Sequence, residues 1–238
     1  MGLHDMLIQL ELPYDSDEAR DISGEIMSFV EKVSKDESEF IATETGSFPA
    51  YDDSCNYTPR ANAATTSIQP TGTVSMIADC SSGCEPYYSV ITEKHVMDGE
   101  KLIMVNTHFE IVAKREGFYS EELIEEIAKK GTVVGNKKVP KKWQKIFVGA
   151  MDVSPEGHLK MQATLQNNGV DSSISKTVNM PNSATIDDVE NIYRTAWELG
   201  CKGVTIYRDG SKSMQVLNTG TKPTVFDRPD CINYMRLL

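Results

Sequence analysis

Ser172-Ser-Ile-Ser-Lys-Thr-Val-Asn-Met180, then Thr185-Ile-Asp-Asp188, then Gly203-Val-Thr-Ile-Tyr207 is the stretch that decides the fold class. The first and last runs are rich in β-branched residues and read as strands. Between them Thr185 caps a helix that carries Val189, Ile192, Ala196 and Leu199 on one face, and Gly200 ends it. A crossover helix of that length between two strands predicts a βαβ unit with at least partly parallel pairing, and so an α/β fold.

Upstream, the same periodicities lay out the rest. Leu3, Leu7 and Leu10 have helical spacing, and Pro13 closes that segment. Asp15-Ser-Asp-Glu18 has the form of a capping box with Asp15 as the cap. Ile22, Ile26, Phe29, Val30 and Val33 share one face of the long helix that follows, which should run to about Thr43 before Gly46 and Pro49 stop it. Residues 50–62 are polar and irregular and read as a loop. Thr65-Thr-Ser-Ile-Gln69 is β-prone and runs through Pro70-Thr-Gly-Thr-Val-Ser75 into a helical turn, a strand, tight turn, helix unit. Tyr87 to His95 and Lys101 to Val105 flank Met97-Asp-Gly-Glu100, which suits a hairpin turn. Ser120 and Gly131 bracket an amphipathic helix, Pro140 to Ile146 forms another, and Ser154-Pro155 opens one that runs to about Asn167.

Composition bounds the function. The chain has 238 residues, 39% hydrophobic and 25% charged, an ordinary globular balance that excludes collagen, coiled coil and bulk disorder. Its formal charge of -11 argues against holding nucleic acid through phosphate neutralisation, though not against a nucleotide in a pocket. The longest apolar runs, such as Leu102 to Val105, are far short of a membrane span. Met1-Gly-Leu-His-Asp5 lacks the basic and apolar regions of a signal peptide, so a cytoplasmic location and no membrane partner are expected. The five cysteines, Cys55, Cys80, Cys84, Cys201 and Cys231, are odd in number and irregularly spaced, and read as thiols.

Pro70-Thr-Gly-Thr-Val-Ser75 is the strongest local candidate for chemistry. Gly72 allows close backbone approach, Thr71, Thr73 and Ser75 supply hydroxyls, and the helix start presents N-H groups toward an anion. An ordinary β-turn capped by Thr and Ser is the competing account, and no Walker lysine follows. Cys80 and Cys84 could form a zinc half-site with His95 and His108, but no second Cys pair completes it, and packing cysteines beside a ligand loop is the favoured account. Cys201, after Gly200, is expected to be buried. The four histidines are scattered and read as surface or helix-end residues, Glu85 as a pocket carboxylate or an exposed turn residue, and Glu121 to Glu126 as a solvated helix face.

Several blocks taken together resemble a known family. Met1-Gly-Leu-His-Asp-Met-Leu-Ile8, Pro13-Tyr-Asp-Ser-Asp-Glu-Ala19, Thr65 to Ser75, Ser81-Ser-Gly-Cys-Glu-Pro86, Ser175-Lys-Thr-Val-Asn-Met-Pro-Asn182 and Glu198 to Ser211 are similar, in order, to the C-terminal half of the catalytic domain of adenosylcobalamin-dependent (class II) ribonucleotide reductase. The resemblance implies the second half of a ten-stranded α/β barrel with mostly parallel strands over residues 1–218, followed by a linker and truncated tail over 219–238. It implies radical reduction of a ribonucleotide with adenosylcobalamin as cofactor, and substrate phosphates held by Pro70, Thr71, Gly72, Thr73, Val74 and Ser75. It implies as partners the N-terminal half of the reductase and an external dithiol such as thioredoxin, with self-association favoured by an exposed half-barrel face. The family's thiyl-forming cysteine lies in an Asn-x-Cys-x-Glu pattern upstream of the stretch that matches Met1, and no such pattern occurs here. The chain is therefore expected to carry no catalytic residue of its own, to bind no metal directly, and to be inactive alone; the alternative is a remnant that binds a nucleotide phosphate or a partner. Lys222 to Pro229 resembles the start of the family's C-terminal extension, which Asp230 to Leu238, with a solitary Cys231, leaves short.

Overall fold

The computed structural model describes residues 1–56, 58–95 and 101–211. The predicted turn at Met97 to Glu100 and the tail from 212 onward, with Cys231, lie outside the described residues. Among the described residues the α-helices are α1 Leu3–Gln9, α2 Asp17–Thr45, α3 Gly72–Ile77, α4 Thr107–Arg115, α5 Glu121–Lys130, α6 Lys141–Ile146, α7 Pro155–Asn167 and α8 Ile186–Glu198, with one 3-10 turn at Tyr51–Asp53. The strands are β1 Ile91–His95, β2 Lys101–Val105, β3 Thr177–Met180 and β4 Thr205–Arg208. No described helix is long and apolar enough to cross a membrane.

The segment that set the fold class pairs as expected, but over shorter lengths. β3 and β4 run parallel with Thr177 opposite Thr205 and Met180 opposite Arg208, and α8 is the crossover between them. Thr185 caps α8 reciprocally with Asp188, each side chain accepting from the other's backbone N-H. Upstream of β3 the expected strand shrinks to one parallel bridge, Ile68 to Ile174, flanked by Ser172 N donating to Thr66 O and Ser175 N to Ile68 O. β1 and β2 form the predicted antiparallel hairpin, Ile91 opposite Val105. The described strands thus make two two-stranded sheets and close no barrel; the architecture is α/β.

Three apolar clusters organise the chain. Phe109, Leu123, Ile127, Trp143, Ile146 and Phe147 join α4, α5 and α6 beneath the hairpin. Leu7, Tyr14, Met161, Leu165 and Ile174 join α1 and α7. Leu159, Val178, Met180, Ile192 and Ala196 seal α8 onto β3. α7 is the common wall, packing against α2, α8 and β3.

Three expectations need correction. α2 is capped by Ser16, whose hydroxyl accepts from Ala19 N, and not by Asp15; the helix begins at Asp17, so only Ser16 sits at the cap position. The apolar face of α2 is turned to solvent: Ile26, Phe29, Val30 and Val33 are exposed, whereas Ala19, Ser23, Gly24 and Ser38 are buried. α7 approaches so closely that only small residues fit, a Cβ on Gly24 meeting Thr164 and Asn168 side chains at 3.2 Å. Finally, α4 falls where no helix was read. Its signal is Asn106, which accepts from Phe109 N, followed by Phe109, Val112 and Ala113 on one buried face.

Candidate functional site

Pro70 to Ser75 makes the turn into α3 with Thr71 in the left-handed region at φ +51°. The first helical hydrogen bond runs from Ser75 N to Thr71 O at 2.8 Å, so the N-H groups of Gly72, Thr73 and Val74 precede it. These three residues are exposed, and nothing lies within 4 Å of a Cβ placed on Gly72. The two flanking hydroxyls turn the other way. Thr71 Oγ1 accepts from Gly83 N at 2.8 Å, and the buried Ser75 Oγ lies 2.7 Å from Ser82 Oγ and 3.1 Å from Gly72 O. Of the three hydroxyl-bearing residues singled out in the sequence, Thr73 is exposed, while the hydroxyls of Thr71 and Ser75 bind the turn to the 81–86 segment behind it. That segment comes so close that a Cβ on Gly83 would stand 2.6 Å from Gln69 O, at φ +48°.

The 81–86 segment is itself pinned by a buried charge. Lys176 Nζ, with no exposed side chain, lies 2.6 Å from Glu85 Oε2 and 2.9 Å from His158 Nδ1. Glu85 Oε1 accepts from Thr177 N at 2.6 Å, which couples the segment to the first residue of β3. His158 Nδ1 therefore accepts, and its Nε2-H donates to Ala150 O at 2.9 Å, a neutral tautomer with both nitrogens used. Tyr14, fully buried, lies beneath Lys176 at 5.6 Å and donates to Cys84 O at 2.5 Å.

α1 supplies a second anchor. Asp5 Oδ2 accepts from Ser81 N at 2.7 Å and Oδ1 accepts from the Tyr87 hydroxyl, while His108 Nε2 stands 3.4 Å from Oδ1. Burial pushes the Asp5 pKa up, but the hydrogen bonds from Ser81 and Tyr87 outweigh it and hold the carboxyl below its usual value. His4 N donates to Ser81 Oγ at 3.1 Å, and His4 Nδ1 accepts from Tyr87 N at 2.9 Å.

Of the surface and helix-end positions expected for the histidines, His4 and His158 take the second, in the first turns of α1 and α7, and both are fully buried. Burial lowers His4 to about 4. Burial, helped by the neighbouring Lys176 charge, lowers His158 to about 3. The unfolded chain, with ordinary values of 6.5, binds protons that the fold refuses, so stability rises with pH through that window and is lost as pH falls from 6.5 toward 4. Urea midpoints measured from pH 7.5 to 4 are expected to drop, and a flat profile would contradict the neutral buried rings.

Lys176 went unread in the sequence. It has a signal, because it shares strand parity with the buried Val178 and Met180, and a lysine on a core-facing position needs a partner. Glu85 is that partner, a half-buried carboxylate and not an exposed turn residue. Cys84 is buried and its thiol is pushed up to about 12, chiefly by burial; it packs beside Tyr14 and Met161. Cys201 is half-buried, not buried as expected. Among the described residues no three His, Cys, Asp or Glu side chains gather as a metal site.

Comparison with known proteins gives consistent results. A family profile described as "Ribonucleotide reductase, barrel domain" matches residues 1–60 and 57–207. A protein of Thermoplasma acidophilum named vitamin B12-dependent ribonucleoside-diphosphate reductase is 44% identical over 94% of this chain and 29% of its own length. A protein of Mycobacterium tuberculosis with the same name is 40% identical over 97% of this chain and 33% of its own. This chain therefore spans about a third of the length of the curated relatives it matches. Among solved structures, the class Id ribonucleotide reductase alpha subunit of Actinobacillus ureae superposes with a TM-score of 0.75 at 22% identity, covering 88% of this chain and 38% of that one.

Proposed function

This chain belongs to the ribonucleotide reductase barrel-domain family, and from that premise we propose that it is the substrate-phosphate-holding part of a vitamin B12-dependent ribonucleotide reductase. The assembled enzyme reduces the ribose 2′-hydroxyl of a ribonucleotide, and residues 1–218 are the second half of its ten-stranded barrel, with 219–238 a linker and tail. A remaining part, the N-terminal half, brings the radical-bearing cysteine, and an external dithiol such as thioredoxin restores the enzyme. Without that part the chain does not turn over.

One observation carries this reading: the Pro70–Ser75 turn is fixed from behind by Gly83 and Ser82 while Gly72, Thr73 and Val74 face outward. A phosphate seated there takes hydrogen bonds from the N-H groups of Gly72, Thr73 and Val74 and from the Thr73 hydroxyl, with Thr71 and Ser75 holding the turn in shape. Rigid donors bind and orient the substrate, so that the ribose is presented at a constant distance from the reacting groups.

Adenosylcobalamin is the cofactor proposed for the assembled enzyme. His158 is buried with both ring nitrogens in internal hydrogen bonds, the buried His4 accepts from Tyr87 N through Nδ1, and His108 stands against Asp5. No step is therefore assigned to this chain through the cofactor.

Thr73→Val tests the phosphate seat. Loss of one charge-assisted hydrogen bond is expected to weaken pyrophosphate or a ribonucleoside diphosphate about 10- to 100-fold, read by calorimetry on the chain itself. The melting temperature should not move, since Thr73 is exposed. Unchanged affinity at unchanged melting would remove Thr73 from the site.

A further inference from the structure

α2 carries its polarity the wrong way round for a helix at the edge of a finished protein. A surface helix normally turns its large apolar side chains inward and its polar ones to water. Here Ile26, Phe29, Val30, Val33, Phe40 and Ile41 face solvent, Phe29 at 68% and Phe40 at 60% exposure. The body-facing side is made of Ala19, Ser23, Gly24 and Ser38 and is closed by hydrogen bonds, Ser34 Oγ to Thr65 Oγ1 at 3.0 Å and Ser38 Oγ to Asn62 Oδ1 at 3.0 Å. The inner side is thus already complete, and the outward positions 26, 30, 33 and 40 recur at the three- and four-residue steps of a helical seam. Such a stripe on a soluble chain marks an interface.

Its occupant follows from length and charge. About two thirds of the relatives' length lies outside this chain. A second copy of the chain is disfavoured because α2 holds nine Asp and Glu against three Lys and Arg, a net -6, and two such helices face to face repel. We infer that the outward face of α2 is the seat of the remaining part of the reductase, which covers it with an apolar surface. This rests on the proposed function.

The test replaces the matching region of the Thermoplasma acidophilum reductase with this chain and introduces Phe29→Cys and Phe40→Cys. Maleimide labelling, read peptide by peptide by mass spectrometry, is compared between the chimera and the chain alone. Labelling at both positions should be fast in the chain alone and slower by a factor of about 100 in the chimera. Equal rates overturn the inference, and so does protection in the chain alone that grows with its concentration, which would make a second copy the occupant. If the chimera does not fold, cysteines on the matching helix of the intact Thermoplasma enzyme decide by the same criterion. A chimera that protects the stripe yet reduces no ribonucleotide leaves the docking standing and removes the catalytic reading; one that reduces ribonucleotide with the stripe open does the reverse.

Discussion

Glu85→Gln is expected to cost about 3–5 kcal/mol of stability, more than Lys176→Met at the other end of the same pair. The asymmetry comes from burial. Removing the Glu85 charge leaves Lys176 Nζ with no exposure and only neutral partners, His158 Nδ1 at 2.9 Å, Thr177 O at 3.5 Å, the Tyr14 ring and an amide in place of the carboxylate. An uncompensated ammonium in that position has lost both its counter-ion and its water. Removing Lys176 instead leaves a carboxylate whose side chain is 21% exposed and still accepts from Thr177 N, so water replaces part of what is lost. Methionine also fills most of the lysine volume. Urea unfolding at pH 7 checks the order, and the double variant should recover part of the loss of Glu85→Gln. A larger loss for Lys176→Met would show that packing, not charge, fixes the cluster.

Gly169→Ala is expected to lose about 3 kcal/mol or more, or to prevent folding. The residue sits at φ +130°, and a Cβ there would stand 2.5 Å from Glu31 Cβ and 2.9 Å from Met27 O. The first contact is a side-chain root and the second is helix backbone, so neither can move without bending α2 away from α7. Thr66 Oγ1 donates to Gly169 O at 2.7 Å, which ties the same point to the segment leading into the Pro70–Ser75 turn. Gly72→Ala is the contrast, with nothing within 4 Å of its new Cβ; its melting temperature should stay close to that of the parent. Equal melting temperatures for the two variants would show that α2 and α7 are not held at this spacing.

The elements that were legible in the sequence are those whose ends are written in local chemistry. Ser120 accepts from Leu123 N and Gly131 takes φ +79° at the two ends of α5, Ser154 with Pro155 opens α7, and Thr185 with Asp188 opens α8. The parallel pairing of β3 and β4 followed from the crossover length. What was not legible depends on partners distant in sequence. The periodicity of α2 identifies an apolar face but not which side meets the body, because that is set by Gly24 of α2 against α7 and by Gly169, just past α7, against Met27 and Glu31. The Pro70–Ser75 turn is marked by its hydroxyls and glycine, whereas the burial of Ser75 beside an exposed Thr73 depends on Ser82 and Gly83 behind the turn. His4 and Lys176 are single polar residues within apolar patterns. Burial in such places becomes visible only when Tyr87 and Glu85 are seen beside them.

The 81–87 segment is fastened from both directions along the chain, and this bears on the order in which the protein folds. Its links to His4 close 77 and 83 residues, and its links to Lys176 and Thr177 close 91 and 92. Helices such as α5 and α7 need only neighbouring residues and form early, whereas contacts of this span must first overcome the entropy of closing long loops. On the ribosome, Glu85 is made long before the lysine that neutralises it inside the fold. The backing of the Pro70–Ser75 turn is therefore acquired late, after β3 has been synthesised and has docked.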